Sequence, residues 1–432
     1  MLLIKWVLCC TAICCSFFTS AQTTLSKTEQ KIIAAIDATM VSTQQLLIES
    51  VNINSGTMNI AGVKKVGALY QKEFEAMGFT CEWIAMPDSV KRAGHLVATR
   101  KGKKGKRLFL IGHLDTVFEP DMPINPYRVL NDSTATGQGL NDMKGGDVMV
   151  IASLKALHSL GLLNDVSITV YFTGDEENAG HPRQVTRGDF IERAQQSDIA
   201  LGFETAVGLY TVATARRGAS GWVLEVEGKQ GHSSGVFANG GYGAIYEAVR
   251  IVNEFRLQLS TQEFLTFNPG LFAGGAEVNY NAEQQQASIQ GKTNIIAPKT
   301  VVNGDLRFIS ETQKETAREK MKAIVNNNNL KGTSATIRFS DGIPAMSPKP
   351  ANDSLVQQLS AISIAMGLEN VQAGNPGSRG AGDISYIASY VACLDGLGAS
   401  GRGAHAPGET INLKEYPLLI KRAALFIYRL TR

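Results

Sequence analysis

The chain has 432 residues, enough at roughly 150 per domain for two or three domains. Hydrophobic residues make up 44% and charged residues 19%, a mix that buries a sizeable core. The formal net charge is +3, with acids and bases nearly balanced; this argues against a nucleic-acid partner, which needs a basic patch or stripe, and excludes nothing about small anionic substrates.

Residues 1–21 stand apart. Lys5 is the only charge ahead of an apolar run from Trp6 to Phe18, and Thr19, Ser20 and Ala21 supply small residues, the layout of a signal peptide cleaved after Ala21. A retained anchor is the lesser reading, because the run is shorter than the about 20 apolar residues that span a bilayer. Lipidation is a third, although large Leu8 and Ile13 precede Cys9 and Cys14, where a lipoprotein signal favours a small residue. The expectation is a periplasmic or secreted protein with no stable membrane insertion after cleavage. Of the six cysteines, only Cys81 and Cys393 lie beyond this segment, so one disulfide is available but no disulfide framework. Cys393 sits in an apolar run and reads as a buried thiol.

From residue 26 to about 49, Ile32, Ile33, Ile36, Met40, Leu46 and Leu47 recur at helical spacing. A loop at 54–57 leads into a second helix, about 61–77, stopped by Gly78. Strands at 107–112, 166–172 and 199–203 then alternate with a helix at 144–160. Such alternation predicts an α/β fold with a largely parallel central sheet. Near Arg216 the texture changes. A half-exposed strand at 221–228 is followed by a helix at 242–255, a strand at 301–309, a helix at 311–325 and a strand at 335–339. This reads as a separate α+β insert over 216–339, with the α/β texture returning in a helix at 353–366 and a strand at 391–397. The expected organisation is a signal peptide at 1–21, an α/β domain from 22–215 and 340–432, and the insert at 216–339.

Three of these strands run into polar residues at their carboxyl ends. The first leads to His113 and Asp115, the second to Asp175, Glu176 and Glu177, the third to Glu204. Ligands of open α/β sheets bind beyond the carboxyl ends of strands, so one rule gathers these groups at one rim. Asp142, in the Gly-rich run 137–146, stands just before a helix and can face the same rim; His405 follows the last strand. Two histidines and three carboxylates without cysteine suit Zn2+ or a harder ion such as Mn2+ or Co2+. One carboxylate can bridge two such ions. Asp115, two residues after His113, is placed to accept its second imidazole N–H. Adjacent Glu176 and Glu177 suggest divided labour, one binding metal and the other taking a proton from water. Singly these signals are weak: paired glutamates usually form a solvated face, and an Asp in a Gly-rich loop usually serves a turn. Their ordered recurrence at strand ends carries the argument.

The runs Gly112-His113-Leu114-Asp115-Thr116-Val117, Gly139-Leu140-Asn141-Asp142-Met143-Lys144-Gly145-Gly146 and Thr173-Gly174-Asp175-Glu176-Glu177 resemble the M20 metallopeptidases, and most of all their glutamate carboxypeptidase (carboxypeptidase G) branch. The likeness runs from about residue 47 to the end of the chain. It implies two Zn2+ per subunit, with His113 on one, His405 on the other, Asp142 bridging them, and Glu177 and Glu204 completing the shells. Glu176 would be the general base, Asp115 the partner of His113, and the peptide bond after Asp142 cis. The insert would be a lid that also forms a homodimer contact. The run Gly228-Lys229-Gln230-Gly231-His232-Ser233-Ser234 matches the motif whose histidine helps hold the developing oxyanion, at the partner subunit's site in dimeric members. Asn294 and Arg307 match positions that grip the substrate's terminal carboxylate, a task suited to the planar donors of arginine; the bland reading of Arg307 is an ion pair with Asp305 or a lid glutamate.

The activity so implied is exopeptidase hydrolysis of an amide bond next to a free carboxylate, in a small peptide or N-acyl amino acid, with release of C-terminal glutamate among the options. Two departures put glutamate specificity in doubt. Relatives often carry Arg before the proline that ends the lid, where this chain reads Asp341-Gly342-Ile343-Pro344, and the loop near the last strand reads Gly377-Ser378-Arg379-Gly380-Ala381-Gly382-Asp383 where relatives have Thr before Asp. Arg379 is the expected substitute contact to the substrate carboxylate. An M20 aminopeptidase, dipeptidase or N-acyl amino-acid deacylase stays open as an alternative. A silent periplasmic binding protein and a structural dimer module are the rivals from other classes; loss of a ligand or the base would favour them, and every expected position is filled.

Overall fold

The structure, a computed structural model, describes residues 24–282 and 284–432; the expected signal segment 1–21 lies outside them. Its central sheet has six strands in the spatial order Thr80–Ile84, His95–Arg100, Val166–Thr173, Lys104–His113, Ile199–Gly202 and Ala392–Leu394. The first two pairings are antiparallel and the last three parallel, so the fold is α/β with a mixed sheet whose parallel half matches the expectation. Leu108, Phe109, Leu110 and Ile111 are buried on both faces, which explains their unbroken apolar run.

Helices Lys27–Val51, Ile60–Ala76, Gly145–Ser159 and Tyr416–Leu430 share one hydrophobic cluster with the sheet, and Phe190 of helix Arg183–Ala194 packs with Phe109, Tyr171 and Cys393 in another. The first helix opens on a capping box: Ser26 Oγ accepts from Glu29 N at 3.2 Å, and Glu29 Oε2 accepts from Ser26 N at 2.7 Å. Glu29 also pairs with Arg429 at 2.6 Å, joining the first helix to the last.

A second sheet lies within residues 218–343. Four antiparallel strands run in the order Thr266–Gly275, Lys299–Phe308, Gly218–Gly228, Thr333–Ile343. Along Gly218–Gly228 burial alternates strictly as far as Val226, with Trp222, Leu224 and Val226 turned inward, as the half-exposed pattern required. Against them pack Ala248, Ile251 and Phe255 of helix Gly243–Leu259 and Ala317 and Met321 of helix Glu311–Asn326, a core separate from that of the central sheet. Truncating Phe255 to Ala would cost this unit about 3–5 kcal/mol. The two chain crossings into the unit are hydrogen-bonded to each other, Arg216 N to Met346 O at 2.9 Å and Met346 N to Arg216 O at 3.1 Å.

Cys81 and Cys393 are both unpaired, and burial pushes the Cys393 thiol up to about 12. Among the described residues no helix is long and apolar enough to cross a membrane.

Candidate metal centre

Strand register sets the rim. Gly112 lies beside Phe172, His113 beside Thr173, and Ile111 beside Gly202, so the parallel strands release His113, Glu176, Glu177 and Glu204 at one edge. Asp142 comes from the turn Leu140–Lys144 ahead of helix Gly145–Ser159, and its bond to Met143 is cis. The helix can start there because residue 146 is glycine: a Cβ would lie 2.0 Å from the carbonyl oxygen of Phe203, the residue before Glu204. His405 reaches the rim from the loop between strands Gly401–Arg402 and Thr410–Asn412, in a left-handed conformation (φ 65°) uncommon outside glycine.

Asp142 sits between two imidazoles. Its Oδ1 is 3.3 Å from His113 Nε2, which also lies 3.6 Å from Glu204 Oε1. Its Oδ2 is 3.1 Å from His405 Nε2, which lies 3.1 Å from Glu177 Oε2. Ligand atoms of His113, Glu176 and Glu204 converge in one group, and those of His113, Asp142 and Glu177 in another. Four carboxylates thus face two imidazoles, and among the described residues no lysine or arginine pairs with any of them. One Glu177 oxygen is buried with no partner. Without a cation this cluster must hold protons. Burial, with Asp142 nearby, lifts Glu204 to about 8. Burial and the charges of Glu204 and Asp383 push Glu176 well above the carboxylate range. Hydrogen bonds to Asp142 and Glu177 raise His405 to about 11. Carboxylate oxygens in this excess, with two imidazole nitrogens and no cysteine, would suit divalent cations, and Asp142 lies between the two histidines.

Asp115 departs from its expected geometry. His113 Nδ1 meets the Asp115 main-chain carbonyl at 3.0 Å, and the carboxylate only at 3.5 Å. The buried carboxylate accepts instead from Glu176 N at 3.0 Å, Glu177 N at 3.2 Å and Thr57 Oγ1 at 2.6 Å. Asp115 therefore fixes the main chain of both glutamates while its backbone sets the His113 ring.

Two supports had no signal in the sequence reading. Glu409, fully buried, accepts from three peptide N–H groups around Asp142: Gly139 at 3.0 Å, Asn141 at 2.5 Å and Asp142 itself at 2.8 Å. It stands four residues after His405, so one carboxylate ties the two ligand-bearing loops together. Arg187, also buried, bonds Asp175 at 2.6 Å and Asp383 at 2.8 Å, and Thr173 Oγ1 bonds the other Asp383 oxygen at 2.7 Å. This brace locks the turn before Glu176 to the loop that follows Arg379.

The remaining expected residues are not all at the rim. His232 and Asn294 are exposed and adjacent on one ribbon, where Gly231–His232 pairs with Ile295–Ile296 and Ser233 N bonds Asn294 O at 3.0 Å. His232 Nδ1 accepts from Ser234 N at 3.2 Å, which leaves the proton on Nε2. Among the described residues neither contacts the metal cluster. Arg307 is half-exposed and its Nε donates to Asp305 at 2.9 Å, the ion pair expected of a residue with no part in substrate binding. Arg379 does lie beside the rim: its Nη1 donates to the carbonyl of Thr205, next to Glu204, at 2.7 Å.

The sequence profile of peptidase family M20/M25/M40 matches residues 109–429. Carboxypeptidase G2 of Pseudomonas sp. (strain RS-16) is 26% identical over 382 residues, 87% of this chain and 86% of that one. Succinyl-diaminopimelate desuccinylase of Cupriavidus pinatubonensis is 25% identical over 282 residues, 62% of this chain and 70% of that one. The crystal structure of the Bacillus subtilis YXEP protein, described as a dinuclear metal-binding peptidase of the M20 family, superposes with a TM-score of 0.63 over 91% of this chain and 99% of that one, at 13% identity. With its profile matched over most of the chain and a two-pole cluster of metal-ligand side chains at the sheet edge, the protein belongs to peptidase family M20/M25/M40 and is a hydrolase.

Proposed function

We propose that the protein is a secreted zinc-dependent exopeptidase that hydrolyses an amide bond next to a free carboxylate, working as a homodimer through the 216–339 insert. The observation that carries this reading is Asp142 shared between His113 and His405, with the carboxyl of Glu176 beside His113 and the Arg379 guanidinium on the carbonyl of Thr205, the residue after Glu204. His113, Asp142 and Glu204 would hold one ion and His405, Asp142 and Glu177 the other; the chemistry they would supply is Lewis-acid polarisation of a carbonyl and a lowered pKa for bound water.

The protein's own groups do the rest. Glu176, its main chain held by Asp115, accepts the proton of the attacking water and passes it to the leaving nitrogen. His232, with its proton on Nε2, is a donor suited to the tetrahedral oxyanion. Because Asn294 rides on the same ribbon, one closing movement or one partner copy delivers both. Arg379 is placed to meet the free carboxylate. Secretion rests on residues 1–21, and N-terminal sequencing of exported protein should begin at Gln22.

A second reading, an N-acyl amino-acid deacylase, is favoured by the desuccinylase relatives. A succinyl amide also carries a free carboxylate near the scissile bond. A release assay on C-terminal amino-acid conjugates and N-acyl amino acids, with and without chelator, separates the two. The first reading requires chelator-sensitive release from peptide-like conjugates that Glu176→Gln abolishes with metal content intact. Release from N-acyl amino acids alone transfers the assignment to the second, and full activity of Glu176→Gln removes the base.

A further inference from the structure

Arg187 and Arg216 are buried and neutralised, the first by Asp175 and Asp383, the second by Asp395 at 2.6 Å. Arg379 is half-buried, and among the described residues no carboxylate pairs with it. Its Nη1 donates to the carbonyl of Thr205, while Nε and Nη2 have no partner among the same residues. Burial and the charge of Arg216 lower its pKa, the reverse of what a neutralising partner would do. One edge of the guanidinium is thus left over, and such an edge is the fork that meets a carboxylate through two parallel N–H bonds.

The guanidinium lies against Gly396. A Cβ on that residue would be 2.7 Å from Arg379 Nη2, 3.2 Å from Cζ and 3.4 Å from Nη1. The turn that carries Gly396 has little room to yield. Gly396 N donates to Asp395 Oδ1 at 2.6 Å, Asp395 N to Ala213 O at 3.0 Å, Leu397 N to Gly202 O at 3.1 Å and Gly398 N to Glu204 O at 3.0 Å. These bonds pin the turn to the end of the strand that leads into Glu204, and they hold Gly396 at φ 71°. A side chain at 396 would therefore push the guanidinium, the flexible partner, rather than the turn. The loop is held from its other side as well: Arg216 Nη1 donates to Gly380 O at 3.1 Å, so the arginine that neutralises Asp395 also anchors the residue after Arg379.

We infer that Gly396 is the positioning residue that sets the preference for a free carboxylate: having no side chain, it seats the Arg379 guanidinium and leaves the Nε–Nη2 edge open to the substrate. The inference rests on the carboxylate contact proposed above for Arg379. Its physical content is that the contact depends on two positions rather than one. An arginine at 379 needs a residue without a Cβ at 396, and the Arg216–Asp395 pair beside that residue keeps a protein carboxylate from capturing the charge meant for the ligand.

The test is steady-state kinetics on a matched pair of substrates, one with a free carboxylate and one amidated. The enzymes are the wild type, Gly396→Ala, Gly396→Asn, Arg379→Ala, and each Gly396 variant combined with Arg379→Ala. Asparagine tolerates positive φ better than alanine, so it supplies the Cβ with less strain if Gly396→Ala folds poorly. Either Gly396 variant should raise KM for the free carboxylate about 10- to 100-fold, as loss of a charge-assisted bond does, with kcat and both constants for the amidated substrate kept within about twofold. Added to Arg379→Ala, the same variants should change KM by less than about twofold, because the seat acts only through its occupant. An unchanged KM for the free carboxylate, an equal loss on both substrates, or a further loss of about tenfold on top of Arg379→Ala would each overturn the seat and leave the Arg379 contact standing. An equal effect of Arg379→Ala on both substrates would overturn the contact, and the seat with it.

Discussion

Glu409 offers the sharpest test of how the metal centre is held. In Glu409→Ala the carboxylate that accepts from Gly139 N, Asn141 N and Asp142 N is gone, while the Glu409 main-chain carbonyl keeps its bonds to Thr136 Oγ1 at 2.7 Å and Gly137 N at 3.3 Å. The loop stays attached, but three buried N–H groups lose their partner. Each such loss costs about 1–3 kcal/mol, so the total is about 3–6 kcal/mol once water entering the space satisfies part of it. For a unit of this size that lowers Tm by roughly 5 °C or more. The same bonds aim Asp142, and removing a group that orients a metal ligand weakens metal binding about 10- to 100-fold. Glu409→Gln keeps one acceptor oxygen and should fall between the variant and the wild type. Calorimetric metal titration, thermal unfolding and hydrogen exchange of the 139–142 amides measure the three effects. An alanine variant with unchanged Tm, metal affinity and amide protection would refute the reasoning.

Metal uptake should release protons at pH 7, because His405 at about 11 and Glu204 at about 8 both hold a proton there without metal and must give it up to act as ligands. Affinity should therefore rise as pH climbs from 6 through 8, and calorimetry in buffers of different ionisation enthalpy reads the release; pH-independent affinity would contradict it. Arg379→Ala should raise KM about 10- to 100-fold for substrates with a free carboxylate and leave amidated analogues unchanged, in line with a charge-assisted bond of about 1.5–3 kcal/mol; an equal effect on both would sink the contact. His232→Ala should lower kcat about 10²- to 10³-fold at constant metal content, and an unaltered kcat would remove it from the oxyanion.

The strands and the rim were legible for one physical reason. Buried parallel strands are continuous apolar runs, and the polar residues that end them must emerge together, so the sequence alone groups His113, Glu176, Glu177 and Glu204. Strand Thr266–Gly275 and the hairpin of Glu277–Asn281 with Gln286–Gln290 escaped because they are largely exposed and lack a clean period of two. Glu409 escaped because it serves peptide N–H groups about 270 residues earlier, a partnership no local pattern encodes. Arg187 likewise sits on a helix whose sequence looks polar, and only the approach of Asp175 and Asp383 shows why it is buried. Asp115 was placed correctly beside His113, but spacing alone did not tell its carboxylate from its carbonyl.

The bond between Glu29 and Arg429 also bears on how the protein is made. The hydrophobic cluster beneath the central sheet takes in Ile32 and Leu47 from the first helix and Leu425 and Ile427 from the last, so it cannot shut until the final helix has left the ribosome. The unit within 218–343 has its own core and need not wait. A nascent chain stalled near residue 400 would therefore present a finished insert on an unsealed support, with the glutamates and His113 already synthesised and His405 still to come. The pole that uses His405 thus forms only after residue 405 is made, and the cluster beneath the sheet closes only when helix Tyr416–Leu430 joins helix Lys27–Val51.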